Sequence, residues 1–216
     1  MKPKISVRYR NFDFFIYDVP TNTHIVSHLI KSGIGWDTEQ LEFIISSIAN
    51  KSKNMIDVGG EIGSYSIPLS PYFNKIHTFE PNIENYSLIK DTIDKNNITQ
   101  ISLYNLACGD VNSTCTVVGT YSTEISLKEG ITKIVRLDDF ITDEISFIKI
   151  DVEGFEYDVL RGAKQIIDKY KPIIYLETHP TMVSDSLSNC ETWLLNMGYE
   201  SFNIVSPSDK FWKYNQ

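Results

Sequence analysis

Three observations predict an α/β fold built on a mostly parallel sheet. From Asn54 onward, short apolar runs alternate with amphipathic segments; the runs end in polar or acidic residues; and the last two runs have no helical segment between them. The runs are MIDVGG (55–60), KIHTFEP (75–81), ISLYNLACG (101–109), SFIKIDVEG (146–154) and PIIYLETHP (172–180). Buried runs separated by helices form βα units, whose strands lie parallel. The terminal runs, Tyr199 to Val205 and Lys210 to Tyr214, are expected to pair as an antiparallel hairpin at the sheet edge, which reverses the last strand.

Helices are predicted at about Ser64 to Tyr72, Asn82 to Asn97 and Thr181 to Met197. A fourth is expected where Phe155, Val159, Leu160, Ala163, Ile166, Ile167 and Tyr170 share one helical face. Ahead of this array, Ile5 to Arg10 and Asp13 to Val19 predict a hairpin, and Thr21 to Lys31 a helix stopped by Gly33. Residues 1–35 are thus expected to form an N-terminal extension, and residues 36–216 the main domain. Asp37 followed by Gln40 resembles a capping box, with Leu41, Ile44, Ile45 and Ile48 as the stripe behind it.

At 216 residues and 42% hydrophobic, the chain can bury a full core without staples. Net charge is −8, and residues 1–53 carry seven basic and five acidic side chains, so the acidity lies in the main body. No basic stripe is hidden behind the average, which argues against a nucleic-acid partner or an anionic membrane surface. The three cysteines, Cys108, Cys115 and Cys190, form no C-x-x-C pair and suit reduced thiols; a cytoplasmic location is expected. The start of the chain has no apolar run of signal length, and no stretch is long enough for membrane insertion.

In open α/β sheets, ligands bind beyond the carboxyl ends of the strands. Here those ends read Asp57-Val58-Gly59-Gly60, Glu80-Pro81, Ala107-Cys108-Gly109-Asp110, Asp151-Val152-Glu153-Gly154 and Glu177-Thr178-His179. The turn Asp57-Val-Gly59-Gly60-Glu61-Ile-Gly63 lets backbone approach a ligand closely. Glu80, at the end of the second run, stands where a carboxylate holds ribose hydroxyls. A dinucleotide site needs a glycine where Glu61 stands, because pyrophosphate rests there; a carboxylate would repel it. A nucleoside with a sulfonium and an ammonium tail suits Asp57 and Glu61 better, which selects S-adenosylmethionine over NAD.

The segments DVGGEIGSYSI (57–67), HTFEPN (77–82), RLDDF (136–140), IKIDVEGFEYDVLRGA (148–163) and KPIIYLETH (171–179) resemble the FkbM-type family of S-adenosylmethionine-dependent methyltransferases. The resemblance covers roughly residues 36–180, and its turn departs from the usual DVGANIG by carrying Gly60 and Glu61. It implies a class I methyltransferase (Rossmann-like) sheet of seven strands in order 3-2-1-4-5-7-6 with the last reversed. It further implies methyl transfer to hydroxyl oxygens, often of sugars. By the same resemblance Asp57, Gly59, Gly60, Glu61 and Gly63 lie along the methionine part, Glu80 on the ribose and Pro81 and Asn82 on the adjoining wall. Ala107 and Cys108 would border the adenine, and Asp151 the methyl-donor side.

A hydroxyl becomes a nucleophile when a positioned base takes its proton. Asp151 and Glu153 end the fourth run and Glu177 and His179 the fifth, so four ionisable groups are expected to converge beside the donor. His179 titrates nearest neutrality; Asp151 is the alternative base, since burial raises a carboxyl. Asp151 with Glu177 would be too sparse a cage for a dedicated Mg²⁺ site, so no metal is expected. The leading expectation is an O-methyltransferase for a sugar, glycan or small polyhydroxylated acceptor. Two alternatives stay open: a non-catalytic S-adenosylmethionine-binding module, and a NAD-dependent oxidoreductase, which Glu61 and the lack of a Tyr-x-x-x-Lys pair disfavour. A free enzyme and a domain of a larger glycan-processing protein are both compatible with this length.

Overall fold

The computed structural model describes residues 4–17, 37–118, 124–126, 131–178 and 186–215. Strands β1 (Lys4–Tyr9) and β2 (Phe12–Tyr17) form an antiparallel hairpin, followed by helix α1 (Thr38–Ser47). Then come β3 (Asn54–Val58), α2 (Ser66–Leu69) with a 3-10 turn at Ser70–Tyr72, β4 (Lys75–Phe79), α3 (Ile83–Asn96) and β5 (Ile101–Tyr104). A group of short strands follows: β6 (Ala107–Cys108), β7 (Ser113–Val118), β8 (Glu124–Ser126) and β9 (Thr132–Val135), with the short helix α4 (Leu137–Phe140) after them. The chain continues through β10 (Ile145–Ile150), α5 (Glu156–Gly162), α6 (Lys164–Tyr170), β11 (Ile173–Glu177), α7 (Ser186–Asn196), β12 (Tyr199–Ile204) and β13 (Asp209–Tyr214).

Seven strands make the main sheet in the order β12-β13-β11-β10-β3-β4-β5. The five from β11 to β5 run parallel, while β13 runs antiparallel to both β11 and β12. Counted along the chain this is 3-2-1-4-5-7-6 with the last strand reversed, the expected order of a class I methyltransferase sheet. β6 to β9 form a separate small sheet between the third and fourth parallel strands.

Alternation along each strand divides the interior in two. Met55, Ile76, Phe147, Tyr175 and Phe211 face α1, α2, α3 and Phe14 of the hairpin. Ile56, Val58, Ile148, Ile150, Ile174 and Trp212 face α5, α6 and α7. A parallel strand is therefore apolar on both sides, and that is why the runs were nearly continuous rather than alternating. The hairpin is tied to α3 by Phe15 N–H donating to Thr92 Oγ1 (3.0 Å) and Asp13 N–H to Asn96 Oδ1 (2.9 Å).

Four details differ from the sequence expectation. The run 101–109 is two strands: β5 joins the main sheet, and Ala107–Cys108 leave it to pair with β9. The apolar face from Phe155 to Tyr170 belongs to two helices, broken at Gly162–Ala163, where a side chain on Gly162 would lie 1.9 Å from the Gly109 carbonyl. The Ser64–Tyr72 helix is one short α-turn plus a 3-10 turn. Asp37 stands at the N-cap, its carbonyl accepting from Leu41 N–H (3.0 Å), but its backbone is left-handed, with φ 56°, and its side chain makes no capping bond. The predicted Thr21–Lys31 helix and the first part of the Thr181–Met197 helix lie outside the described residues. No helix among the described residues is long and apolar enough to cross a membrane.

Candidate functional site

The parallel register sets one polar row across the sheet. Thr78, Asp57, Lys149 and Tyr175 are successive partners on β4, β3, β10 and β11, all on the α2 side. Thr78, Asp57, Lys149 and Tyr175 are each no more than 2% exposed. A lysine in the middle of such a strand is costly unless paired. Here Lys149 Nζ donates to the Gly59 carbonyl (2.8 Å) and to Asp151 Oδ2 (3.3 Å), and stands 3.6 Å from Asp57 Oδ1. It also lies over the Tyr65 ring, 5.2 Å from its centre. Burial alone would pull the ammonium down, but the carboxylates of Asp151, Asp57 and Glu177 outweigh it and hold it above its ordinary value. Lys149 carried no weight in the sequence reading; the signal was a single Lys inside the apolar run SFIKIDVEG.

Asp57 is held from its other side. Ser66 Oγ–H donates to Asp57 Oδ2, and Thr78 Oγ1 lies 2.6 Å from the same hydroxyl. Tyr65 O–H donates to Asp37 Oδ2 (3.0 Å), which is where the supposed capping side chain is used. The glycine turn leaves β3 with both Gly59 and Gly60 N–H donating to the Phe79 carbonyl (3.0 Å each). Gly59 has φ 84°, and a Cβ there would sit 1.8 Å from the Asp151 carbonyl. Its absence of side chain thus serves the packing of β10 against the turn, a requirement independent of any ligand.

Glu61 also has a left-handed backbone, φ 51°. Its N–H donates to Glu80 Oε2 (2.7 Å), and Asn82 N–H donates to Glu80 Oε1 (2.8 Å). Each Glu80 oxygen keeps a second lone pair for a further donor. Asn82 caps α3, its Oδ1 accepting from Glu84 N–H (2.8 Å) and Asn85 N–H (3.2 Å). Asn105, also absent from the sequence expectation, donates to the carbonyls of Glu80 (2.9 Å) and Pro81 (3.0 Å) and fixes this corner.

Burial raises five carboxyls in this region, Asp37 and Asp57 among them. Burial, then the charges of Asp151, Glu80 and Glu153, push Glu61 to about 8 despite Lys149. Glu177 is likewise driven to about 8 by burial and then by Asp151, with Asp209 and Asp37 adding to it. Glu80 is raised by burial to about 7, the two backbone N–H bonds and Lys149 opposing. Glu61 Oε1 is buried with no hydrogen-bond partner in the protein. Carboxyls thus outnumber the cation among them, and an orphaned oxygen points to a missing donor. That donor set fits the ammonium and sulfonium of S-adenosylmethionine.

On the acceptor side, Ile150 pairs with Leu176, which brings Asp151 beside Glu177; Asp209 faces Glu177 from β13. Asp151 has 29% of its side chain exposed, so it lies at the rim rather than in the core. Glu153 takes a left-handed backbone, φ 52°, and Glu156 holds the following turn, accepting from Gly154 N–H (2.7 Å). Ala107 and Cys108 are 2% exposed, with Cys108 in the core beside Ile56 and Val58, and burial pushes its thiol well up. His179 lies outside the described residues. Among the described residues no group of three or more His, Cys, Asp or Glu is placed to hold a metal ion.

Comparison with known proteins agrees with this arrangement. The chain is 25% identical over 168 residues to a tRNA/tmRNA (uracil-C(5))-methyltransferase of Campylobacter lari, covering 77% of this chain and 43% of that protein. A second of the same description, from Saccharophagus degradans, is 19% identical over 71% of this chain and 39% of its own length. The chain therefore spans less than half the length of these curated relatives. Among solved structures, the methyltransferase FkbM from Methylobacillus flagellatus KT superposes with a TM-score of 0.57 at 22% identity, over 76% of this chain and 44% of that one. TYW2 of M. jannaschii, in complex with AdoMet, gives 0.51 at 11% identity, over 100% and 88% of the two chains. These likenesses show the fold. The methyltransferase FkbM domain family matches residues 57–201. That match runs from the Asp57 that opens the turn into β12 and takes in well over half of the chain, so the protein belongs to the FkbM methyltransferase family.

Proposed function

We propose that this chain binds S-adenosylmethionine at the strand ends and transfers its methyl group to a hydroxyl oxygen of a sugar, glycan or similar small polyhydroxylated acceptor. The observation that carries the reading is the excess of buried carboxyls around the glycine turn, with Glu61 Oε1 left without a protein partner. Bound there, the cofactor supplies an electrophilic methyl group on a positively charged sulfur. Glu80 is aligned by two backbone donors to receive the ribose hydroxyls, and the Glu61 and Asp57 carboxyls favour the cationic end.

The acceptor proton goes to Asp151 or to His179. Asp151 is at the rim, 3.3 Å from an ammonium that favours its ionised form. Glu177, pushed up to about 8 by burial, is protonated at neutral pH and can donate to the acceptor oxygen, which orients it. A thiolate route to a carbon acceptor has no support here, since Cys108, Cys115 and Cys190 are all buried. The two curated relatives named above are tRNA/tmRNA methyltransferases by description. A net charge of −8 and an acidic rim on this chain instead support an uncharged acceptor.

The test is calorimetric titration with S-adenosylhomocysteine against NAD, followed by a screen of sugar acceptors with labelled methyl donor. The former should bind and the latter should not. His179→Ala should then cost roughly 10²–10⁴ in kcat while cofactor affinity barely changes, the usual worth of a general base; if Asp151 is the base instead, Asp151→Asn should carry that loss in kcat. Binding of NAD alone, or methyl transfer to RNA and not to any hydroxylated small acceptor, would refute the reading.

A further inference from the structure

The catalytic reading above uses Asp151 and the glycine turn, and leaves unexplained why an ammonium is buried between them. A buried Lys–carboxylate pair is weak evidence for stability, because an apolar pair of similar size serves packing as well or better. Lys149 is surrounded by Phe147, Ile148 and Ile150 on its own strand, each fully buried, so an apolar residue would fit the pattern. Its ammonium instead meets three groups from three segments: it donates to the Gly59 carbonyl of the turn and to Asp151 beyond β10, and stands 3.6 Å from Asp57 of β3. The approach is close on the backbone side too, as Asp151 N–H donates to the Val58 carbonyl (3.1 Å) and its own carbonyl occupies the space a Gly59 side chain would need.

We propose that Lys149 is a positioning residue: it locks the Gly59 carbonyl and the Asp151 carboxylate to one another, so that the cofactor turn and the acceptor-side rim form a single wall. The proposal rests on the function proposed above. Without the ammonium, the Gly59 carbonyl and Asp151 Oδ2 would present two acceptors to each other across a short gap, and they would separate or Asp151 would protonate. The charged and titratable groups facing this point are Asp57 from β3, Tyr65 and Asp37 from the α2 side, and Tyr175 and Glu177 from β11. Asp209 from β13 and Glu61, Glu80 and Glu153 from the turns are the others among the described residues. All the carboxylates among them repel an ionised Asp151; Lys149 is the group that opposes them.

The test uses the full chain and S-adenosylhomocysteine as probe, and does not need the natural acceptor. The carboxyl ¹³C signal of Asp151, identified by its loss in Asp151→Asn, is titrated in wild type, Lys149→Met and Lys149→Arg. In Lys149→Met the Asp151 midpoint should rise by about one pH unit or more. Affinity for S-adenosylhomocysteine at pH 7 should fall at least about tenfold. Lys149→Arg should bring the midpoint back toward wild type. If Lys149→Met does not fold, Asp57→Asn/Lys149→Met removes both members of the buried pair, and the same rise, smaller, is expected. An unchanged Asp151 midpoint in a folded variant overturns the proposal. Wild type that binds no S-adenosylhomocysteine, while the Asp151 midpoint still shifts in Lys149→Met, overturns the proposed function and leaves the lock itself standing.

Discussion

Two polar clusters are built on the same parallel strands, and they are not alike. Around His77 on β4 the charges balance: Asp143 Oδ2 accepts from Lys75 Nζ (3.0 Å) and pairs with His77 Nε2 (2.8 Å), while His77 Nδ1 lies 3.2 Å from the Tyr104 hydroxyl. Every polar atom of the imidazole has a partner, and Asp143 is held below its ordinary value by Lys75 and His77. Around Lys149 the balance fails. Asp57, Asp151, Glu177 and Glu61 share one ammonium, the carboxyls of Asp37, Asp57, Glu61, Glu80 and Glu177 are raised, and Asp57 Oδ1 and Glu61 Oε1 are left without a hydrogen-bond partner. A satisfied network is how a fold stabilises itself; an unbalanced one at strand ends is how it awaits a ligand. The first cluster is structural; the second is the one proposed above to bind the cofactor.

The largest effect expected falls on the turn that joins the unbalanced cluster. Gly59→Ala combines a left-handed backbone with a Cβ driven into the Asp151 carbonyl, and should cost roughly 2–5 kcal/mol of stability. Urea unfolding measures this, and a loss under about 0.5 kcal/mol would mean that the turn and β10 are less closely packed than described. Next, Glu80→Ala should weaken S-adenosylhomocysteine binding by about 1.5–3 kcal/mol through lost charge-assisted bonds to the ribose. Unchanged affinity by calorimetry in the folded variant would remove Glu80 from the site.

A subtler distinction is made by pH. Glu61, Glu80 and Glu177 titrate at about 8, 7 and 8 in the folded chain, against an ordinary value of 4.5. A raised carboxyl favours the folded state when protonated, so the stability it contributes is complete below about pH 4.5 and disappears as pH rises through about 7–8. Thermal midpoints at pH 5.5, 7 and 8.5 should therefore fall more steeply in the free protein than with S-adenosylhomocysteine, whose ammonium favours the ionised forms. Equal slopes with and without ligand would show that these carboxyls do not face it. The smallest effect belongs to the balanced cluster. Asp143→Asn should cost only about 0.5–1.5 kcal/mol and leave ligand affinity untouched; a loss of binding there would erase the contrast between the two regions.

Much of the fold is legible because its signals are local. The five parallel strands, α3 and the terminal hairpin all follow from apolar runs, the helical segments between them and the missing last helix. The misread elements share a cause: in each, a distant contact outranks the local pattern. Leu106 to Gly109 continue an apolar run but leave the sheet for β9, and Gly162 breaks a continuous helical face where it meets Gly109. Asp37 carries a capping residue's chemistry but gives its carboxylate to Tyr65, a partner 28 residues away.

By itself the sequence determined the class of sheet, its reversed last strand and the acidic strand ends, since period, composition and turn residues act over a few positions. It also singled out Glu80 as a candidate, because an acid ending the second strand needs no knowledge of its neighbours. Only the tertiary structure decided which acids share a charge and which group answers them. Asp57 and Lys149 are 92 residues apart in the chain and become register partners only when β3 and β10 lie side by side. Electrostatic coupling depends on distance through space and on burial, and neither is written along the chain.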